Sequence, residues 1–312
     1  MNKDRIAKKI LFIVVLITLI WLIISITVRL NVNEIVFHPL KRYYSYPGIP
    51  QYTQYFTVNS QNQKIDLKYY QGQKPGKIVL YFYGNGGFST IYLKDLIQQG
   101  NILVPNYPGY LESEGKPTID NFYEIGDIAY QKALDLGYRE DQIIIWGHSL
   151  GGSVAAYISS KNPNLNKTIL VNTFNNLENE CEKRFYIFCI FGQGLLPSEE
   201  YATKIQGKVR QFHYKYNTTV PLDLGQKLYE SVSSDDKKFT ILEIGDHNNF
   251  DIPKIFEDGH FLRKTYILGL GNPSFLLHTY TQMRCLFMVI WEISLPGGFG
   301  SKNMDLRLFI KL

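Results

Sequence analysis

The sequence predicts an α/β fold, a mostly parallel central sheet with helices on both faces, preceded by one transmembrane helix. Strand-like and helix-like stretches alternate from about Gln54 to Phe261, the order that parallel strands and crossover helices produce. Several strands are near-continuous apolar runs, such as Gln142–Trp146 (QIIIW), as strands covered on both faces require. Ahead of them, Ile10–Val28 reads ILFIVVLITLIWLIISITV with no charged residue.

At ~1.5 Å per residue that first run spans roughly 28 Å, close to the ~30 Å hydrocarbon core of a bilayer. A cleaved signal peptide is the alternative, but its apolar region is about 7–15 residues long and ends at a small-x-small site. The following Arg29-Leu30-Asn31-Val32 offers no such site, so an anchor fits better. Lys3, Arg5, Lys8 and Lys9 precede the run. The positive-inside bias therefore leaves residues 1–9 in the cytoplasm. The expectation is a single-pass type II membrane protein with its body lumenal or extracytoplasmic. The sequons at Asn166 and Asn217 would then be open to glycosylation.

A single α/β domain is expected over 36–266. Phe56–Asn59 and Lys64–Tyr70 read as an opening antiparallel pair. Ile78–Tyr83 reads as a buried central strand that ends in Gly84-Asn85-Gly86-Gly87. Next come a helix over Ser89–Gln98, a strand at Ile102–Asn106 and a helix over Asn121–Leu136. The QIIIW strand leads into a small-residue-rich helix at Leu150–Ser160, and strands at Thr168–Val171, Arg210–Lys215 and Phe239–Ile244 complete the series. Residues 172–205 interrupt the rhythm with FYIFCIFG (Phe185–Gly192), readable either as a core-packing helix pair or as a cap that favours an acyl chain. Residues 267–312 form an atypical C-terminal extension. Its apolar stretch Phe275–Leu295 contains His278, Arg284 and Glu292, which argues against a second span.

The net charge of +5 is uneven, with +4 in residues 1–29 and +2 in residues 268–312, leaving −1 for the body. A body without a basic field is not built to hold a phosphate backbone, which excludes nucleic acid as the expected partner. Three cysteines without a CxxC pair give neither a disulfide framework nor a zinc pattern. On one straight helix Cys181 and Cys189 would stand about 12 Å apart, too far for a bridge.

The chemistry-bearing run is Gly147-His148-Ser149-Leu150-Gly151-Gly152. It follows a predicted strand and precedes a predicted helix, the context in which a GxSxG forms a nucleophile elbow and presents the serine at the carboxyl edge of the sheet. Ser149 is the candidate nucleophile. An acyl-transfer site also needs oxyanion donors, and the backbone N–H groups of Leu150 and Asn85 are the candidates. The general base belongs after the last strand, where His247 stands in Gly245-Asp246-His247-Asn248-Asn249. His148 is expected to point away and to pack or bond locally, and His213, inside a strand, to be structural.

With these residues in view, the chain resembles the membrane-anchored branch of the α/β-hydrolase superfamily, the serine-aminopeptidase-like α/β-hydrolase-domain-containing proteins. The resemblance rests on YFYGNGG (Tyr81–Gly87), NYPGYLESEGKPT (Asn106–Thr118), GHSLGG (Gly147–Gly152), TTVP (Thr218–Pro221) and GDHNN (Gly245–Asn249). It implies hydrolysis of lipid, ester or thioester substrates without a cofactor or metal. It also places Asn217 where the family's triad acid stands and Tyr83 where the family has histidine. An asparagine can hydrogen-bond a histidine but cannot compensate an imidazolium charge. Asp223 is the nearest substitute; Asp235 and Asp236 lie beyond the loop where the acid belongs. Three readings follow. The first is a serine hydrolase acting on a lipid-like acyl group, the second an impaired homologue that binds a ligand through the retained pocket. The third, an aminopeptidase, would need a pocket carboxylate that the sequence does not place.

Overall fold

The computed structural model describes residues 3–39, 50–87, 90–180 and 194–256. The expected extension at 267–312, the aromatic run Phe185–Gly192, Cys181 and Cys189 lie outside the described residues.

The chain opens with helix α1, Lys3–Leu30, the one helix among the described residues long and apolar enough to cross a membrane. Most of its apolar side chains from Ile10 to Ile26 are exposed, with Trp21 and Ile24 half-buried, the pattern of a helix that presents most of its apolar surface to its surroundings. After Asn31 the chain continues in a short helix α2, Val32–Val36. The body starts at once, because Phe37 is buried and its ring meets Phe122 at 5.3 Å. The anchor thus runs into the core through a helical stem rather than through a linker.

Eight strands form one sheet: β1 Tyr52–Val58, β2 Lys64–Tyr70, β3 Ile78–Phe82, β4 Asn101–Pro105, β5 Ile143–His148, β6 Lys167–Val171, β7 Val209–Tyr214 and β8 Lys237–Leu242. Their order is β1-β2-β4-β3-β5-β6-β7-β8. β1 pairs antiparallel with β2 and β2 antiparallel with β4, while every later pairing is parallel. This is the α/β class expected from the sequence. β3, β4, β5 and β6 are buried at every residue, as their unbroken apolar runs predict. The order turns back at β3, which lies between β4 and β5. The loops after β3 and β5 therefore flank one crevice at the carboxyl edge, the topological switch point where open α/β sheets place their sites.

Helices cover both faces. α3 (Leu93–Leu96) follows a single 3-10 turn at Thr90–Tyr92; the longer helix expected over Ser89–Gln98 is thus shorter and irregular. α4 spans Ile119–Asp135. It begins two residues earlier than its periodicity suggests because Thr118 caps it: the Thr118 hydroxyl accepts the Asn121 N–H at 3.1 Å and the Asn121 amide oxygen accepts the Thr118 N–H at 2.8 Å. α5 (Gly151–Lys161), α6 (Ser198–Ala202), α7 (Leu222–Ser231) and α8 (Ile252–Phe256) complete the set. Trp146 of β5 stacks on Phe256 of α8 at 5.4 Å, whereas a side chain on the next residue, Gly147, would meet Ala155 of α5. Successive strand residues face opposite sides, so α8 and α5 lie on opposite faces of the sheet. Gly126 lets α4 approach α5, since a Cβ there would strike Val154 and Ile158.

Candidate active site

Ser149 directly follows β5 with φ at +52°, the left-handed region that a residue with a Cβ adopts only under constraint. The constraint is on both sides. The Ser149 N–H donates to the Val171 carbonyl at 3.0 Å, and its own carbonyl accepts from the Thr173 hydroxyl at 2.8 Å and from the Gly152 N–H at 2.9 Å. The glycines follow from the same close packing. A Cβ on Gly151 would lie 2.3 Å from the Phe82 carbonyl oxygen, and one on Gly152 only 2.1 Å from the Thr173 hydroxyl oxygen. The turn from β5 into α5 has the geometry of an elbow.

His247 reaches this serine from the loop after β8. Its Nε2 lies 2.9 Å from the Ser149 Oγ, and both residues are buried. The loop enters through Gly245, at φ +132°, where a Cβ would collide with the Tyr214 ring. Two side chains then hold the His247 carbonyl: Asn172 donates through Nδ2 at 3.0 Å and His148 through Nε2 at 2.8 Å. His148 does not point away: its ring lies beside Gly84 and 5.1 Å from that of His247, and its bond is to a residue 99 positions distant rather than a local one. Burial presses its pKa down to about 4, against the opposing pull of that carbonyl, so at neutral pH it is an uncharged strut. His213 is structural, as expected: it lies in β7 and bonds the Val220 carbonyl at 2.9 Å. Burial lowers it also to about 4.

Asn217 follows β7 and meets the other edge of the His247 ring, its Nδ2 lying 3.1 Å from Nδ1. The amide orientation is fixed by its oxygen, which accepts the N–H groups of Thr219 at 3.0 Å and Val220 at 2.9 Å. The NH₂ end is therefore the one that faces His247, and it donates to Nδ1. A ring that accepts at Nδ1 carries its proton on Nε2, so the histidine in this arrangement donates to the Ser149 hydroxyl. A general base needs the opposite tautomer. Asn217 thus stands against the His247 ring at the acid position, in an arrangement that puts the ring proton on the far nitrogen. Its burial, with the amide nitrogen on His247, is incompatible with a glycan in the folded chain, which corrects the sequon reading there. Asp223 sits in the first turn of α7, where its charge bears on His213. Asp236 pairs with Arg210 at 2.7 Å and takes the Val209 N–H, at the amino edge of the sheet.

The loop after β3 faces the elbow, since a Cβ on Gly84 would lie 3.6 Å from the Ser149 Oγ. Asn85 is held by its side chain and carbonyl: its Nδ2 donates to the Val36 carbonyl at 3.2 Å, and its carbonyl accepts the Tyr110 hydroxyl at 2.8 Å. Among the described residues neither the Leu150 nor the Asn85 backbone N–H donates to a backbone carbonyl. Tyr83 is buried in an aromatic cluster with Tyr107 and Tyr110. Its hydroxyl donates to Asn106 Oδ1 and accepts the Tyr107 N–H, both at 3.2 Å, tying the β3 loop to the β4 loop. Sequence reasoning missed Asn172, Thr173 and Tyr110. The one available signal was Asn172-Thr173 directly after a buried strand, where a positive-φ asparagine closes the turn (φ +50°).

The family described as alpha/beta hydrolase fold matches residues 77–186, which contain the β3 loop and the elbow. An uncharacterized membrane protein of Saccharomyces cerevisiae is 28% identical over 191 residues, 57% of this chain and 64% of that protein. A phosphatidylserine lipase of Bos taurus is 31% identical over 110 residues, 34% of this chain and 19% of the lipase. The chain thus spans less than two thirds of either relative. Among solved structures, an esterase of Pyrococcus furiosus has a similar fold, with a TM-score of 0.57 at 14% identity over 68% of this chain and 90% of that one.

Proposed function

We propose, from the premise that this chain belongs to the α/β-hydrolase superfamily, that it is a membrane-anchored serine hydrolase. Its substrate would be an ester or thioester of a lipid-like acyl group, cleaved through an acyl-enzyme on Ser149. The observation that carries this reading is the Ser149 elbow with the His247 Nε2 at 2.9 Å from its Oγ. The similarity to a phosphatidylserine lipase favours a lipid acyl ester over other esters. The basic residues ahead of the apolar run, in the first turns of α1, favour a type II orientation, with the body outside the cytoplasm.

In the proposed reaction the Ser149 Oγ attacks the acyl carbon while its proton passes to Nε2 of His247. The oxyanion takes the N–H groups of Leu150 and Asn85, and the leaving alcohol or thiol takes the proton back from Nε2. Water then enters by the same steps in reverse and releases the acid. The first step requires Nε2 to be bare. With Asn217 as it stands, the amide must first turn over and leave the Thr219 and Val220 N–H groups without their acceptor. The buried Val220 donor so deprived costs about 1–3 kcal/mol and the half-buried Thr219 donor less, so the loss is at least roughly 5-fold to 150-fold in rate. In serine-protease triads the same exchange costs about 10⁴. The chain is therefore a slow hydrolase whose acyl site retains its form.

Asn217 also supports a second reading, a ligand-binding homologue with no turnover. The two part on one experiment. A fluorophosphonate should label the full-length protein, and Ser149→Ala should abolish the label. Labelling that does not depend on Ser149 would rule out the serine-hydrolase reading; no labelling even in Asn217→Asp would leave the binding reading.

A further inference from the structure

We infer that the carboxyl edge of the sheet, with Ser149 at its centre, rests on the bilayer that holds α1, so that the acyl substrate enters from that membrane and not from solution. This inference rests on the proposed hydrolase for its substrate, but not for its geometry.

The stem supplies the first argument. The charge-free run ends at Val28 and Arg29 marks the boundary. From Arg29 to Val36 the chain is helical apart from Asn31, which itself still bonds back to Thr27 at 3.1 Å. Seven residues of helix rise roughly 10 Å, against about 5–8 Å for one headgroup layer. Val36 therefore stands at or just above headgroup depth, and its carbonyl accepts from Asn85. The backbone N–H of His38 donates to the Tyr110 hydroxyl at 3.0 Å, and that hydroxyl donates to the Asn85 carbonyl. The loop that faces Ser149 is thus bonded directly to the stem at Val36 and, through the Tyr110 hydroxyl, to His38 two residues beyond it.

The rim supplies the second. Three large apolar side chains are exposed on the same edge: Ile244 at 79%, Tyr216 at 68% and Ile91 at 47%. Ile244 leads into the His247 loop and Tyr216 precedes Asn217. Ile91 sits beside Tyr92, which stacks on Phe250 at 4.4 Å and donates to the Asn248 carbonyl. All three belong to loops that follow parallel strands, β8, β7 and β3, at their carboxyl ends. Large apolar side chains exposed on three loops of one sheet edge fit a surface that meets another apolar phase, and the stem brings that edge to the bilayer. A tyrosine at such a boundary keeps its ring in the apolar layer and its hydroxyl in the headgroups. The substrate class this geometry selects is a lipid whose acyl carbonyl lies at headgroup depth.

The test uses the full-length chain in phosphatidylcholine vesicles whose acyl chains carry bromine near the glycerol end, in a Trp21→Phe background. Ile244→Trp and Tyr216→Trp should each add fluorescence that the brominated lipid quenches at least twofold more than the parent's. Asp135→Trp, exposed at the C-terminal end of α4, should add fluorescence that is not quenched. Equal quenching at positions 244, 216 and 135, or none at 244 and 216 in protein that still melts cooperatively, would overturn the inference. Either result is independent of Ser149 labelling, so failure here leaves the hydrolase reading standing, and failure of labelling leaves the orientation standing.

Discussion

Asn217 donates its amide N–H to Nδ1 of His247 across 3.1 Å, and two backbone N–H groups hold its oxygen away from the ring. A carboxylate in the same place would keep both of those backbone bonds and present an acceptor to Nδ1. Asn217→Asp should therefore move the ring proton from Nε2 to Nδ1 and raise hydrolysis of a short aryl ester by ~10²–10⁴. The nitrogen shifts of His247 report the proton's position independently of rate. An unchanged tautomer together with an unchanged rate would show that Asn217 does not set the state of His247.

The elbow glycines should tolerate nothing larger. Gly151→Ala forces a methyl against the Phe82 backbone and Gly152→Ala forces one against Thr173, at about 1–3 kcal/mol or more for each overpacked contact. At Gly86, in the neighbouring loop, a Cβ meets nothing within 4 Å. Gly86→Ala should shift stability by no more than about 0.5 kcal/mol. Thermal melts of the three variants compare them directly, and equal losses would contradict the packing described.

Stability should fall with acid in a defined window. His148 and His213 are held at about 4 in the fold by burial, below their ordinary 6.5. The unfolded chain takes up these protons first. The stabilisation is therefore complete above pH 6.5, is lost as pH falls from 6.5 towards 4, and levels off below. The full gap is worth roughly 3 kcal/mol per ring. His148→Gln, which keeps a donor and cannot titrate, should lose less stability than the native chain between pH 7 and 4.5 in parallel denaturant titrations.

Tyr110→Phe keeps the ring in its cluster and removes the hydroxyl that joins the His38 N–H to the Asn85 carbonyl. The expected cost is about 1–3 kcal/mol, together with slower labelling of Ser149. Labelling at the native rate would mean the β3 loop keeps its shape without the stem.

The apolar runs made most of the sheet legible in advance. Lys64–Tyr70 is β2 to the residue, and Ile78–Tyr83 overshoots β3 by one. The elbow could be read because its glycines answer to a local clash, which chain order records. The orientation of Asn217 could not, because it depends on Thr219 and Val220 turning their N–H groups back on it. His148 was equally opaque: its partner is 99 residues away, and no periodicity encodes a bond to a distant carbonyl. The bond from the stem was opaque for a related reason. Val36 was legible as the start of a domain, but nothing in its hydrophobicity says that its carbonyl meets Asn85.

The lodging of Asn217 has a genetic consequence. Asparagine and aspartate codons differ by one purine transition at the first base, and the Thr219 and Val220 N–H groups that grip the amide oxygen would grip a carboxylate oxygen equally well. Passage between the proposed sluggish form and a fast one therefore requires no compensating change elsewhere in the chain. A lineage carrying this sequence stands one point mutation from the aspartate state, and the sequences of near kin should show both residues at this position.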